Sequence, residues 1–432
     1  MKRIIILFLI IFCASSCFAA DSVPVAGLSL EECLTIALTN HPSLRKSKGQ
    51  VRAAKALLEQ TKAANRVKVN LSGRTSVAGD YGYWDSRSSS GNLSLNISKI
   101  LYDTGVNRLN QEIQGENLKL VLENERANLI TVAADAKRAY YDLVLKILNL
   151  EIEREKVANF EEHLKTARGI YDVGNSSLID VTKAESDLAS AHVAMLRAQN
   201  EILLSQESLK VAMGVIDYDI VNIALSTELF LPKPAEQLEE LLKIAMSDRS
   251  DYRNLAYTRK QHELSLQVAA RNSSPTITGS IGSDFSKNEG ASISKNYNVA
   301  VNINVPVVDG GETKAKIEAA HAQLDQDDAD EESLRQTITH DVRSAALSLT
   351  NALDRVRSSE ANVKYSEDNL TLAQGRYEVG VGNMLEVSDA VSSLASSRNT
   401  LYQALYDAQV ARTNLDEALG HLPAEINLEE SM

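Results

Sequence analysis

The chain writes one phrase twice. Gly169-Ile-Tyr-Asp-Val-Gly-Asn-Ser-Ser-Leu-Ile-Asp-Val181 returns as Arg376-Tyr-Glu-Val-Gly-Val-Gly-Asn-Met-Leu-Glu-Val387, with Tyr171 and Tyr377, Val173 and Val379, and Val181 and Val387 each 206 residues apart. Helical periodicity enters each copy and leaves it almost at once. Gly174 in the first, and Gly380 and Gly382 in the second, can take the positive φ of a helix end. Ser177 with Asp180, and Asn383 with Glu386, then carry the N-cap and capping-box signals of a new helix. Two tight helix–turn–helix tips at one offset require a fold made of two copies of a helical hairpin.

The rest of the chain follows the same duplication. Val342, Ala345, Leu349, Ala352, Val356, Ser359, Val363, Ser366, Leu370, Ala373 and Tyr377 step alternately by three and four, and a matching run leads from Ala136 to Tyr171. This sustained 3.5-residue period predicts coiled-coil seams. Many seam positions are Ala or Ser, which favours helices packed side by side in a wide ring over an isolated two-helix rod. Before each long helix the period changes to two. Val67, Val69 and Leu71, then Leu93, Leu95 and Ile97, alternate with small polar residues, and Val299, Val301, Ile303 and Val305 do so in the second half. The expected organisation is a first repeat at 20–214, with strands at about 67–77 and 91–100 and a hairpin at 107–214; a linker at 215–235; a second repeat at 236–420, with strands at about 275–284 and 297–306 and a hairpin at 312–420; and a tail at 421–432.

Residues 1–19 read as a secretory signal peptide: Lys2 and Arg3, the apolar run Ile4–Phe12, then Cys17-Phe18-Ala19 with small residues at −3 and −1. An uncleaved anchor, or lipid attachment at Cys17 after Ala14-Ser15-Ser16, are the alternatives. Cleavage after Ala19 leaves Cys33 as the mature chain's single cysteine, so no internal disulfide is expected. The net charge of −13 argues against a nucleic-acid partner. Seven prolines in 432 residues suit long helices.

The strands admit two readings, half-buried hairpins in a soluble domain or part of a transmembrane barrel. Export, strand length, and one apolar face opposite one small polar face favour the barrel. Four strands cannot close by themselves, and lipid does not tolerate open edges, so strands are expected to be pooled between chains.

No catalytic constellation, phosphate loop or metal-ligand spacing is present, and neither an enzyme nor a cofactor is expected. The histidines, among them His41, His163, His192 and His321, sit at polar helical positions and read as surface residues. Glu386 and Asp389 share a helical face just past the second tip. They read either as a cap with a first-turn acid or as carboxylates facing a symmetry axis, where rings of acids attract cations. Lys183 replaces the second acid in the first tip.

A repeated strand-hairpin-plus-coiled-coil unit whose tips read Tyr-x-Val-Gly-x5-(Asp/Glu)-Val, with the opening Leu34-x-x-Ala-Leu-x-x-His-Pro42, resembles the TolC-like outer-membrane efflux family. The resemblance covers nearly all of the mature chain. It implies a mainly α protein with membrane β: a homotrimer whose 12-stranded β-barrel, four strands per chain, stands on an α-helical barrel crossing the periplasm. It also implies an exit duct for efflux or type I secretion, working with a periplasmic adaptor and an inner-membrane pump in a Gram-negative outer membrane. The entrance acids would fall on Glu386 and Asp389, and the closed-state contact on Asp180 and Tyr377. Gly382 stands where some members carry a locking arginine. A periplasmic coiled-coil scaffold without a pore is the alternative.

Overall fold

A computed structural model describes residues 28–79, 88–174, 177–216 and 229–421. The expected signal peptide at 1–19, Tyr81, Tyr83 and Trp84, most of the expected 215–235 linker and the residues from 422 lie outside them. The elements run α1 (Leu30–Asn40), α2 (Pro42–Ala63), β1 (Lys68–Ala78), β2 (Ser88–Tyr102), α3 (Val106–Asp172), α4 (Leu178–Met213), α5 (Leu238–Asp248), α6 (Ser250–Ala270), β3 (Thr276–Asn288), β4 (Ser294–Asn304), α7 (Glu312–Glu378) and α8 (Met384–Leu419).

The helices start and stop for local reasons. Ser29 and Glu32 form a capping box on α1, with Ser29 N–H donating to Glu32 Oε2 at 2.8 Å and Glu32 N–H to Ser29 Oγ at 3.2 Å. Pro42 opens α2 and holds His41 extended, at φ −59° and ψ 128°. The second copy breaks at Arg249 with nearly the same dihedrals, φ −63° and ψ 128°, yet Ser250 follows where the first copy has proline. There the break is tied by the guanidinium, which reaches Asp251 at 2.7 Å, Asp341 at 3.3 Å and the Ala418 carbonyl at 3.3 Å.

The two long helices, α3 and α7, have 67 residues each, or about 100 Å at 1.5 Å per residue. Each is flanked at one end by a short helix, α2 or α6, and at the other by its returning partner, α4 or α8; α3 also packs on α6 and α8, and α6 on α7. The lateral order is therefore α4-α3-α8-α7 beside the tips and α2-α3-α6-α7 beside the sheet. The expected seam on α7 is buried or half-buried throughout. The helix α3 buries more, adding Ala133, Tyr140, Tyr141, Val144 and His163, because it has neighbours on both sides while α7 stands at an edge. The largest cores lie midway along the long helices, where α1 covers Tyr140, Leu143, Leu209 and Met213, and α5 covers Val342, Leu349, Ala411 and Leu415.

The strands form one antiparallel sheet in the order β1-β2-β3-β4. β3 begins just after Pro275, and β4 ends two residues before Pro306, since proline has no N–H for the ladder. Val69, Leu71, Leu93, Leu95, Ile281, Phe285, Val299 and Val301 are exposed along one face, and no helix packs across the sheet among the described residues. Serine hydroxyls meet on the other face, Ser72 with Ser94 at 3.2 Å and Ser76 with Ser90 at 2.9 Å. No described helix is long and apolar enough to cross a membrane.

Candidate functional site

The second tip is built by backbone closure. The Arg376 carbonyl accepts from Val381 N–H at 3.0 Å and Gly382 N–H at 2.9 Å, and Gly380 turns the chain at φ +77°. Gly382 differs from the sequence expectation, because its φ is not positive. It is needed for space, since a Cβ there would lie 3.0 Å from both Arg376 Cβ and Tyr377 N. Asn383 then caps α8, its Oδ1 accepting from Glu386 N–H at 2.9 Å. The return link of the capping box is made to the Asn383 side-chain amide at 3.4 Å, not to its backbone.

Glu386 has a partner that the cap pattern did not reveal. Arg376 Nε lies 3.4 Å from Glu386 Oε2, and the same guanidinium donates to the Val381 carbonyl at 3.4 Å. Asp389, one turn further along α8, is exposed and has no hydrogen-bond or ion-pair partner among the described residues. The two acids thus share a helix face but not an electrostatic state: one is compensated, the other open.

In the first tip Gly174 takes φ +79° with no atom within 4 Å of a built Cβ, so only its dihedral requires glycine. Ser177 and Asp180 complete the capping box: Ile179 N–H donates to Ser177 Oγ at 3.1 Å and Ser177 N–H to Asp180 Oδ2 at 3.2 Å. The fold places Asp180 within electrostatic reach of Tyr377. Burial first, and the Asp180 carboxylate second, push the Tyr377 phenol above its ordinary range. Tyr171, its counterpart by sequence, is exposed. Lys183 pairs with Asp187, and Ser388 Oγ donates to Asp187 Oδ2 at 3.0 Å, so α4 and α8 are tied beside the tips.

Two histidines depart from the surface reading. His163 is 9% exposed in the cluster region of Phe160, because α3 is enclosed on both sides, and its Nε2 has no hydrogen-bond partner. Burial lowers its pKa against the opposing pull of Glu162. His262 Nδ1 lies 2.7 Å from Oδ2 of the buried Asp327. No signal in the helical periodicity marked either contact, as each depends on which helices become neighbours. The Cys33 thiol is buried and pushed up to about 12. No group of His, Cys, Asp and Glu is placed to hold a metal among the described residues.

Comparison with known proteins adds an independent line. Residues 33–215 and 241–421 match the outer membrane efflux protein family. The chain is 23% identical to the probable outer membrane lipoprotein SilC of Salmonella typhimurium, over 89% of this chain and 84% of that protein. It is 22% identical to the cation efflux system protein CusC of Escherichia coli K12, over 93% and 90% respectively. The solved Campylobacter jejuni CmeC outer membrane channel superposes with a TM-score of 0.76 at 16% identity, covering 93% of this chain and 88% of that one.

Proposed function

The chain belongs to the outer membrane efflux protein family, and from that premise we propose that it is the exit duct of a tripartite export assembly. It resides in the outer membrane and reaches into the periplasm. Three copies supply twelve strands to one barrel, and the helices line a tunnel below it. The repeats, 20–214 and 236–420, contribute one strand hairpin and one helical hairpin each. A periplasmic adaptor docks at the tips and links them to an inner-membrane pump; the duct itself is passive.

The observation that carries this reading is that sheet and helices are open at the same two edges. The sheet ends at β1 and β4. Beside the tips, the helical layer ends at α4, with Val193, Leu196, Leu203 and Val211 exposed, and at α7, with Leu347, Tyr365 and Leu372 exposed. Unlike edges on opposite sides make a head-to-tail contact, which closes into a ring when the rotation allows. Outside the apolar face, Lys99 lies toward the helices and Lys287 and Lys295 toward the hairpin turns, placed to reach lipid headgroups.

At the entrance, the Asp180–Tyr377 contact holds the tip closed, and Glu386 and Asp389 line the opening. Mass measurement of the detergent-solubilised protein tests the assembly and should give three copies. Conductance in a planar bilayer separates a duct from a coiled-coil scaffold. A stable monomer, or a trimer that never conducts, overturns the proposal.

A further inference from the structure

The strand register sorts the sheet's charges by face. One set of paired residues is Val69–Ile97–Ile281–Val299 and Leu71–Leu95–Ser283–Tyr297, the lipid-facing rows of a barrel. The intervening rows face the lumen: Asn70–Asn96–Gly282–Asn298, Ser72–Ser94–Asp284–Asn296 and Arg74–Asn92–Ser286–Ser294. The Asn298 side chain confirms the shared face, because its Oδ1 lies 2.2 Å from where a Cβ on Gly282 would stand. Two charges, Arg74 and Asp284, fall on adjacent lumen rows among otherwise neutral small side chains. Neither has a partner among the described residues. The third lumen-facing charge, Lys68, lies at the helical end of β1, six residues or about 20 Å along the strand from Arg74.

Arg74 is on β1 and Asp284 on β3, two strands apart within one chain. Across a β4–β1 seam between chains, the next Arg74 is again two strands away. The alternation therefore holds around the whole circumference. We propose that Arg74 and Asp284 form a collar of alternating charge around the barrel lumen and act as a second charge filter of the duct, at its exit. The proposal rests on the barrel reading above. Twelve tilted strands place the wall about 12 Å from the axis, close to the Debye length at 0.1 M salt, so the collar's charges act on a passing ion with partial screening. Opposite charges in alternation leave the collar nearly neutral while giving a strong field near the wall. Such a wall suits solutes that carry both signs and leaves simple ions weakly sorted.

The test is the reversal potential of the full-length trimer in a KCl gradient, in a background carrying Glu386→Gln and Asp389→Asn so that tip charge does not mask the barrel. Asp284→Asn should shift permeability toward chloride by about twofold at 0.1 M salt, and more at 0.01 M, where screening is weaker. Arg74→Gln should shift it toward potassium by a similar factor. The exchange Arg74→Asp with Asp284→Arg should restore the background value, since alternation survives the swap. Conducting trimers whose ratio moves with neither single variant overturn the collar and leave the duct standing. Failure of the parent protein to conduct overturns both.

Discussion

Gly214 and His41 approach more closely than any side chain between them would permit: a Cβ on Gly214 would fall 2.5 Å from His41 Cα. The second repeat has the same contact between Gly420 and Arg249, where the distance to Arg249 Cα would be 2.9 Å. In each repeat the returning helix ends in a left-handed glycine seated on the break between two short helices. This contact joins the end of the hairpin to the start of its own repeat, midway along the long helices.

Alanine at either position therefore carries two penalties. The left-handed conformation alone costs about 1–2 kcal/mol for a residue with a Cβ, and the collision with backbone adds to it. Gly174→Ala carries only the first, because the space around it is open. Thermal unfolding should rank Gly214→Ala and Gly420→Ala well below Gly174→Ala. Equal midpoints for the three would show that the close approach relaxes freely.

The Tyr377 phenol near Asp180 gives a second expectation. Its pKa is raised in the folded tip, so the neutral form is favoured there. That stabilisation is fully present below the ordinary tyrosine value of about 10 and is lost as pH rises through the higher folded value. Tyr377→Phe removes any hydrogen bond made by the hydroxyl, worth about 0.5–1.5 kcal/mol, and keeps the ring. Single-channel recordings should show longer open times for Tyr377→Phe and for Asp180→Ala. Unchanged gating in both would reject a lock at this contact.

These contacts mark where the sequence stops being informative. The long helices, the strand alternation and both tips were legible because 3.5-residue seams, two-residue alternation and caps are local signals. Gly174 was correctly placed in the left-handed region by the same logic. Gly382 looked identical, but its role depends on how far the Arg376 backbone folds back. Arg376 and Glu386 are ten residues apart on different helices, and only the finished turn sets their distance. The break at Arg249 lacks proline and is held by contacts to Asp341 and Ala418, far along the chain. His163 read as polar surface because its burial follows from α3 having two flanking helices.

That buried imidazole should make stability acid-sensitive. Burial holds His163 neutral, whereas the unfolded chain protonates near pH 6.5. Below that pH the unfolded state binds more protons, so stability falls as pH drops from about 6.5 and stops falling once pH passes the depressed folded value. Unfolding midpoints measured between pH 8 and pH 5 should decline less steeply in His163→Leu, which keeps the burial and removes the proton. An identical slope in the variant would assign the acid sensitivity to other groups.

The last expectation concerns the proposed entrance, where the two acids are not equivalent. Glu386 is compensated by Arg376 at 3.4 Å, while Asp389 is open one turn further into α8. With copies brought to a common axis, the uncompensated carboxylates supply most of the attraction for cations. Asp389→Asn should therefore lower cation preference and divalent-cation block more than Glu386→Gln does. Arg376→Gln should act in the opposite direction by freeing Glu386. It should leave the assembly intact, because an exposed pair of this kind contributes only about 0.2–1 kcal/mol. Reversal potentials and block by magnesium, measured on the three variants, give the order directly. If Glu386→Gln has the larger effect, or Arg376→Gln reduces cation preference, the arginine does not screen the entrance and the two carboxylates act as one ring.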